Sequence, residues 1–123
     1  PNHAKHLLPL LQQLESQTDL PNEVIISLSE YKNTPVDILI ELAQSCWNFP
    51  VKVICSEQKL HAGQNRNVGA LNAKGTVLIF QDADDTPHAQ RVQIIKLMFK
   101  KFDLDLLMHK FIEINEDVDA PLP

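Results

Sequence analysis

The sequence predicts an α/β fold in which a mainly parallel sheet is flanked by helices. Two observations carry this reading. Short apolar runs at residues 24–28, 51–55, 76–80 and 104–108 alternate with stretches of helical apolar period, and strands separated by helices of about 10–15 residues are joined by crossovers that leave neighbouring strands parallel. The runs are also apolar nearly throughout, as strands covered on both faces are. A chain of 123 residues with 44% hydrophobic content fits one domain with a core of ordinary size.

Each element has its own signal. Leu7, Leu11 and Leu14 recur at i, i+4 and i+7 and give an apolar stripe to a helix over about residues 6–17, with Pro9 acceptable in its first turn. Residues 24–28, rich in β-branched side chains, read as a buried strand after Pro21. Thr34, Pro35 and Asp37 make a helix start of the N-cap, N1 and acidic-first-turn kind. Val36, Leu39, Ile40 and Ala43 are the expected core face of that helix, which should end near Cys46. Residues 51–55 form the second strand. A third helix runs from about Gly63 to Ala73, with Gly75 placed where left-handed backbone is wanted. Residues 76–80 are the expected third strand. Pro87 opens a long helix with the face Val92, Ile95, Phe99 and Phe102, and residues 104–108 follow as a fourth strand. The acidic, proline-containing stretch at residues 113–123 reads as a tail or loop.

Composition excludes several function classes. A net charge of −5 and a pI near 5.4, with Lys100-Lys101 only a pair, argue against a nucleic-acid surface. Cys46 and Cys55 are too few for a disulfide framework and are expected as small core residues in a reducing compartment. No apolar run reaches the roughly 18 residues of a membrane span, and the N-terminus lacks signal-peptide regions, so a cytoplasmic protein is expected, at the membrane face if the full-length chain is held there. Trp47 is expected to be a hydrophobic plug.

The chemistry concentrates in Asp82-Ala83-Asp84-Asp85, at the end of the apolar run and stopped by Pro87. Two carboxylates about 4 Å apart repel by roughly 1 kcal/mol in water and about 4 at an effective dielectric near 20. A cation removes that cost, and oxygen-only ligands from Asp82, Asp84 and Asp85 suit a hard divalent ion, Mg²⁺ or Mn²⁺. An acidic turn that caps the next helix is the plainer reading of the same residues. An EF-hand loop starting at Asp82 is excluded, because its sixth position is Pro87 and its twelfth Gln93. Upstream, the stretch from His61 to Ala70 opens a helix after a strand and a short polar loop. Such a start offers free N–H groups, Gly63 permits close approach to the backbone, and Arg66 brings a planar donor fork. The spacing is neither a dinucleotide nor a P-loop fingerprint. Gly69, Ala70 and Ala73 fit close packing of this helix on the sheet.

In this order, Pro21-Asn22-Glu23-Val24-Ile25-Ile26, then Ala62 to Ala70 with Ala73-Lys74-Gly75, then Phe80-Gln81-Asp82-Ala83-Asp84-Asp85 with Pro87 and Arg91, the chain resembles family 2 glycosyltransferases. The resemblance implies a GT-A fold, Rossmann-like, over residues 1–112, lacking the family's first strand and incomplete at both ends. It further implies transfer of a sugar from a nucleotide-diphosphate sugar to a glycan, lipid or protein acceptor, with Asp82-Ala83-Asp84 as the DXD motif. On this basis Asp82, Asp84 and Asp85 hold Mn²⁺ or Mg²⁺, while His61, Gly63, Arg66, Asn67 and Asp82 lie near the nucleotide. The strand end Ser27-Leu28-Ser29-Glu30 departs from the family's more acidic pattern, and the general base is not identified.

Two alternatives stand beside this reading. Residues 77–86 also resemble the strand-then-D-x-D signature of haloacid-dehalogenase-type phosphatases, with Asp82 as nucleophile and Asp84 as acid/base. That signature normally sits on the first strand of its fold. The other alternative is a non-catalytic GT-A-like module, or a fragment, that binds a nucleotide or sugar.

Overall fold

Four leucines on one face build the first helix into the core. The computed structural model describes residues 4–44 and 46–107. After a 3-10 turn (Ala4–His6), helix α1 (Leu7–Glu15) buries Leu7, Leu10, Leu11 and Leu14, and Pro9 falls in its first turn, where the missing N–H breaks no bond. Strand β1 (Val24–Ser29) pairs in parallel with β2 (Val51–Ser56), in register from Val24 opposite Val51 to Ser29 opposite Ser56. Between them runs helix α2 (Val36–Gln44). Alternate side chains of β1 point to opposite faces. Ile26 and Leu28, with Val24, Val51 and Val53 beside them, join the α1 leucines, Leu42 and Phe49 in one core. Ile25 and Ser27 meet helix α3 (Ala62–Leu71): Ser27 Oγ lies 3.0 Å from Asn65 Oδ1, and a side-chain carbon added at Gly69 would sit 3.9 Å from Ile25 Cγ2. The sheet therefore has helices on both sides, as the sequence predicts. Trp47 packs against the core, the plug expected of it.

Helix α4 (Arg91–Lys101) buries Val92 and Ile95, and a buried glutamine fixes its start. Gln17 donates from Nε2 to His88 O at 2.8 Å and accepts the Val92 N–H at Oε1 at 3.1 Å, so both ends of its amide are satisfied. The neighbouring Thr18 N–H donates to Ala89 O at 2.9 Å.

The structure corrects several expectations. Residues 76–80 form no strand; among the described residues the sheet has two strands, and Val77 and Phe80 are 39% and 52% exposed. An apolar run expresses a preference for burial, whereas a strand also needs a neighbour's ladder. Residues 104–107 likewise carry no strand, and Met108 and the tail at 113–123 lie outside the described residues. The long helix begins at Arg91, not at Pro87, and Phe102 is exposed beyond its end. In α2 the buried side is Leu42 with Ile38 and Leu39 half-buried, while Val36, Ile40 and Ala43 are exposed. Thr34 does not cap that helix, since the Pro35 carbonyl takes the first helical N–H groups and the buried Thr34 hydroxyl has no hydrogen-bond partner. Cys46 and Cys55 are exposed; every residue of β2 keeps some exposure, so Cys55 is not enclosed.

Gly75 has ordinary negative φ, and its role lies in its N–H. The Glu23 carboxylate, just before β1, accepts the N–H groups of Lys74 at 2.5 Å and Gly75 at 2.9 Å, latching the exit of α3 to the sheet. These two bonds hold Glu23 below the usual carboxylate range. A depressed carboxylate contributes its stability above the unfolded value, about 4.3, and loses it as pH falls through the lowered folded value. Glu23→Gln should therefore flatten the acid limb of a denaturation-midpoint profile below about pH 4.5. An unchanged acid limb would show that the latch contributes nothing.

Candidate functional site

The acidic turn is built around a small inward residue. Ala83 packs against the core while Asp82, Asp84 and Asp85 are exposed. The Asp85 N–H donates to Asp82 O at 3.2 Å and closes the turn. One oxygen from each of the three aspartates lies within 4.8 Å of the others. The donor set is all carboxylate oxygen, which fits a hard divalent cation and not a soft one.

Arg66 reaches this turn from α3, with Nη2 2.7 Å from Asp82 Oδ1. The bond to Asp82 raises the hold of the Arg66 guanidinium on its proton. With side chains 46% and 52% exposed, the pair is screened by water, and its value lies in placing the guanidinium beside the aspartates more than in stability. The start of α3 is ordered by its own residues: His61 is extended, its N–H donates to Gln64 Oε1 at 3.0 Å, and its carbonyl accepts the Asn65 N–H at 2.9 Å. Ahead of Gly63 there is open space, with nothing within 4 Å of an added side-chain carbon. A helix start of this kind carries partial positive charge and N–H donors suited to an anion. Thus the structure brings Arg66 together with Asp82, Asp84 and Asp85. His61, Gly63 and Asn67 are exposed near the start of the same helix, and the hydrogen bond from that helix to the turn runs from Arg66 to Asp82.

Two further residues hold the turn, and sequence reasoning gave them no role. Arg91, the first residue of α4, donates from Nη1 to Gln81 Oε1 and from Nη2 to Phe80 O, both at 3.1 Å. Burial lowers the Arg91 value. Gln81 in turn donates from Nε2 to Asp82 O and Asp85 O, both at 3.2 Å. The available signal was a polar Gln81 interrupting the passage from apolar run to acidic cluster. At the other end of the strands, an open groove of about 460 Å³ lined by Asn22, Glu23, Pro50, Lys52 and Asn72 does not include the acidic turn. No helix among the described residues is long and apolar enough to cross a membrane.

An uncharacterized glycosyltransferase of Haemophilus influenzae is 37% identical over 84 residues, which are 68% of this chain and 26% of the relative. The chain thus spans about a quarter of that curated relative's length. No solved structure is significantly similar to it. The profile of glycosyl transferase family 2 matches residues 2–121, nearly the whole sequence, and the chain belongs to that family.

Proposed function

We propose that this chain forms the donor-binding part of a glycosyltransferase that takes a sugar from a nucleotide-diphosphate sugar and passes it to a glycan, lipid or protein acceptor. The observation that carries the reading is the exposed, oxygen-only set of Asp82, Asp84 and Asp85 within 4.8 Å, in a chain of this family. These three residues would hold Mn²⁺ or Mg²⁺. When bound, such an ion supplies a Lewis acid that stabilises negative charge developing on the leaving diphosphate. Arg66 contributes from the protein side: a guanidinium has five donors, and the bond to Asp82 orients it toward the place where a phosphate or base would lie. The start of α3, at Gly63, offers backbone donors to the same anion. Asn67 and His61 flank that start.

The test is product analysis with the whole protein. Mn²⁺-dependent release of nucleoside diphosphate from a nucleotide sugar is the expected result. Metal-dependent binding without turnover would instead establish a binding module, and phosphate release from a phosphomonoester would establish the phosphatase.

A further inference from the structure

We propose that Gln81 and Arg91 are positioning residues that set the arrangement of the three aspartates before any cation arrives. The inference deepens the donor-site reading and rests on it for its functional meaning. No strand ladder supports the approach to the acidic turn, because residues 76–80 have no regular structure. Order in the turn must come from other contacts. Inward, Ala83 supplies one by packing on the core. Outward, the Gln81 side chain ties the turn's backbone with two bonds, from Nε2 to Asp82 O and to Asp85 O.

Chemistry fixes how Gln81 must sit. A guanidinium has donors alone and a carbonyl oxygen is an acceptor alone, so a side chain bridging Arg91 to two carbonyls needs an acceptor at one end and a donor at the other. An amide meets that need, with Oε1 toward Arg91 Nη1 and Nε2 toward the turn. A carboxylate at position 81 would face two carbonyl oxygens with no proton to offer. Arg91 adds a second bond to Phe80 O, so the fork grips the chain on both sides of the residue-80 peptide. Its own place is fixed by the first turn of α4, which the buried Gln17 holds through His88 O and the Val92 N–H. A continuous path therefore runs from the core, through α4 and Arg91, to Gln81 and the aspartates.

The experiment compares wild type, Gln81→Met, Arg91→Lys and the double variant in two readouts. Gln81→Met keeps length and neutrality while removing both ends of the brace, and Arg91→Lys keeps the charge while removing the fork. The first readout is the backbone amide order parameter of residues 82–85 in metal-free protein, which lies near 0.85 for rigid and below about 0.6 for flexible backbone. The second is the Kd for Mn²⁺ alone, by titration. We expect a rigid turn in wild type, a flexible one in each single variant, and Mn²⁺ binding weaker on the order of tenfold for Gln81→Met. The double variant should lose less than the product of the two single losses, because both substitutions remove the same bond between Arg91 and Gln81. A turn as rigid in Gln81→Met as in wild type, a turn already flexible in wild type, or losses that multiply in the double variant would overturn the brace. If wild type binds no Mn²⁺ while the order parameters respond as expected, the donor-site reading fails and the brace stands. Should Arg91→Lys lose its fold, Gln81→Met alone decides the matter.

Discussion

Asp84→Asn is expected to cut Mn²⁺-dependent turnover of a nucleotide sugar by at least about a hundredfold, while leaving the fold intact. Asp84 is exposed and belongs to the group of three carboxylates. The amide that replaces it is neutral and a weak ligand for a hard cation, so the loss falls on metal affinity and on stabilisation of the leaving diphosphate. Thermal stability should change little, since Asp84 is exposed. Steady-state assay beside a thermal melt separates the two effects. Activity within a few-fold of wild type would remove Asp84 from the metal seat.

Leu11→Ala is expected to cost about 3–5 kcal/mol of folding stability, read as a shift in denaturation midpoint at unchanged slope. Leu11 is 1% exposed at the meeting of α1 with Ile26, Leu28, Leu42 and Phe49, so the lost methyl groups leave a cavity that its neighbours cannot fill. The informative partner is Ile40→Ala. Helical period counted from Thr34 places Ile40 on the core side of α2, but it is 46% exposed and should cost less than about 1 kcal/mol. Equal costs at the two positions would contradict the packing of α2.

What the sequence disclosed follows from how local each signal is. α1, β1 and β2 were legible because leucine spacing and β-branched runs reflect burial along one short segment. Residues 76–80 misled for the same reason: Val77, Leu78 and Phe80 have strand composition, yet pairing depends on a neighbour that composition does not supply. The face of α2 was misplaced because its first turn projects Val36 into solvent, at 66% exposed, and the core is reached through Leu42 instead. At the site, the aspartates and Arg66 were legible as charges in suggestive places, and the structure joins Arg66 to Asp82 across 16 positions. Glu23 was not, since its partners Lys74 and Gly75 lie 51 and 52 residues away and offer only backbone N–H groups. Gln81 and Arg91 were visible as residues but not as a pair, because a brace is a matter of geometry.

The central claim is that Asp82, Asp84 and Asp85 form a seat for a cation shared with a diphosphate. Calorimetric titration of a panel of nucleoside diphosphates into the protein, with and without Mn²⁺, tests it most directly. At least one diphosphate should bind on the order of tenfold or more tightly when Mn²⁺ is present, and that gain should vanish in Asp84→Asn. Equal affinity with and without Mn²⁺ across the panel, or a gain that survives in Asp84→Asn, would contradict it.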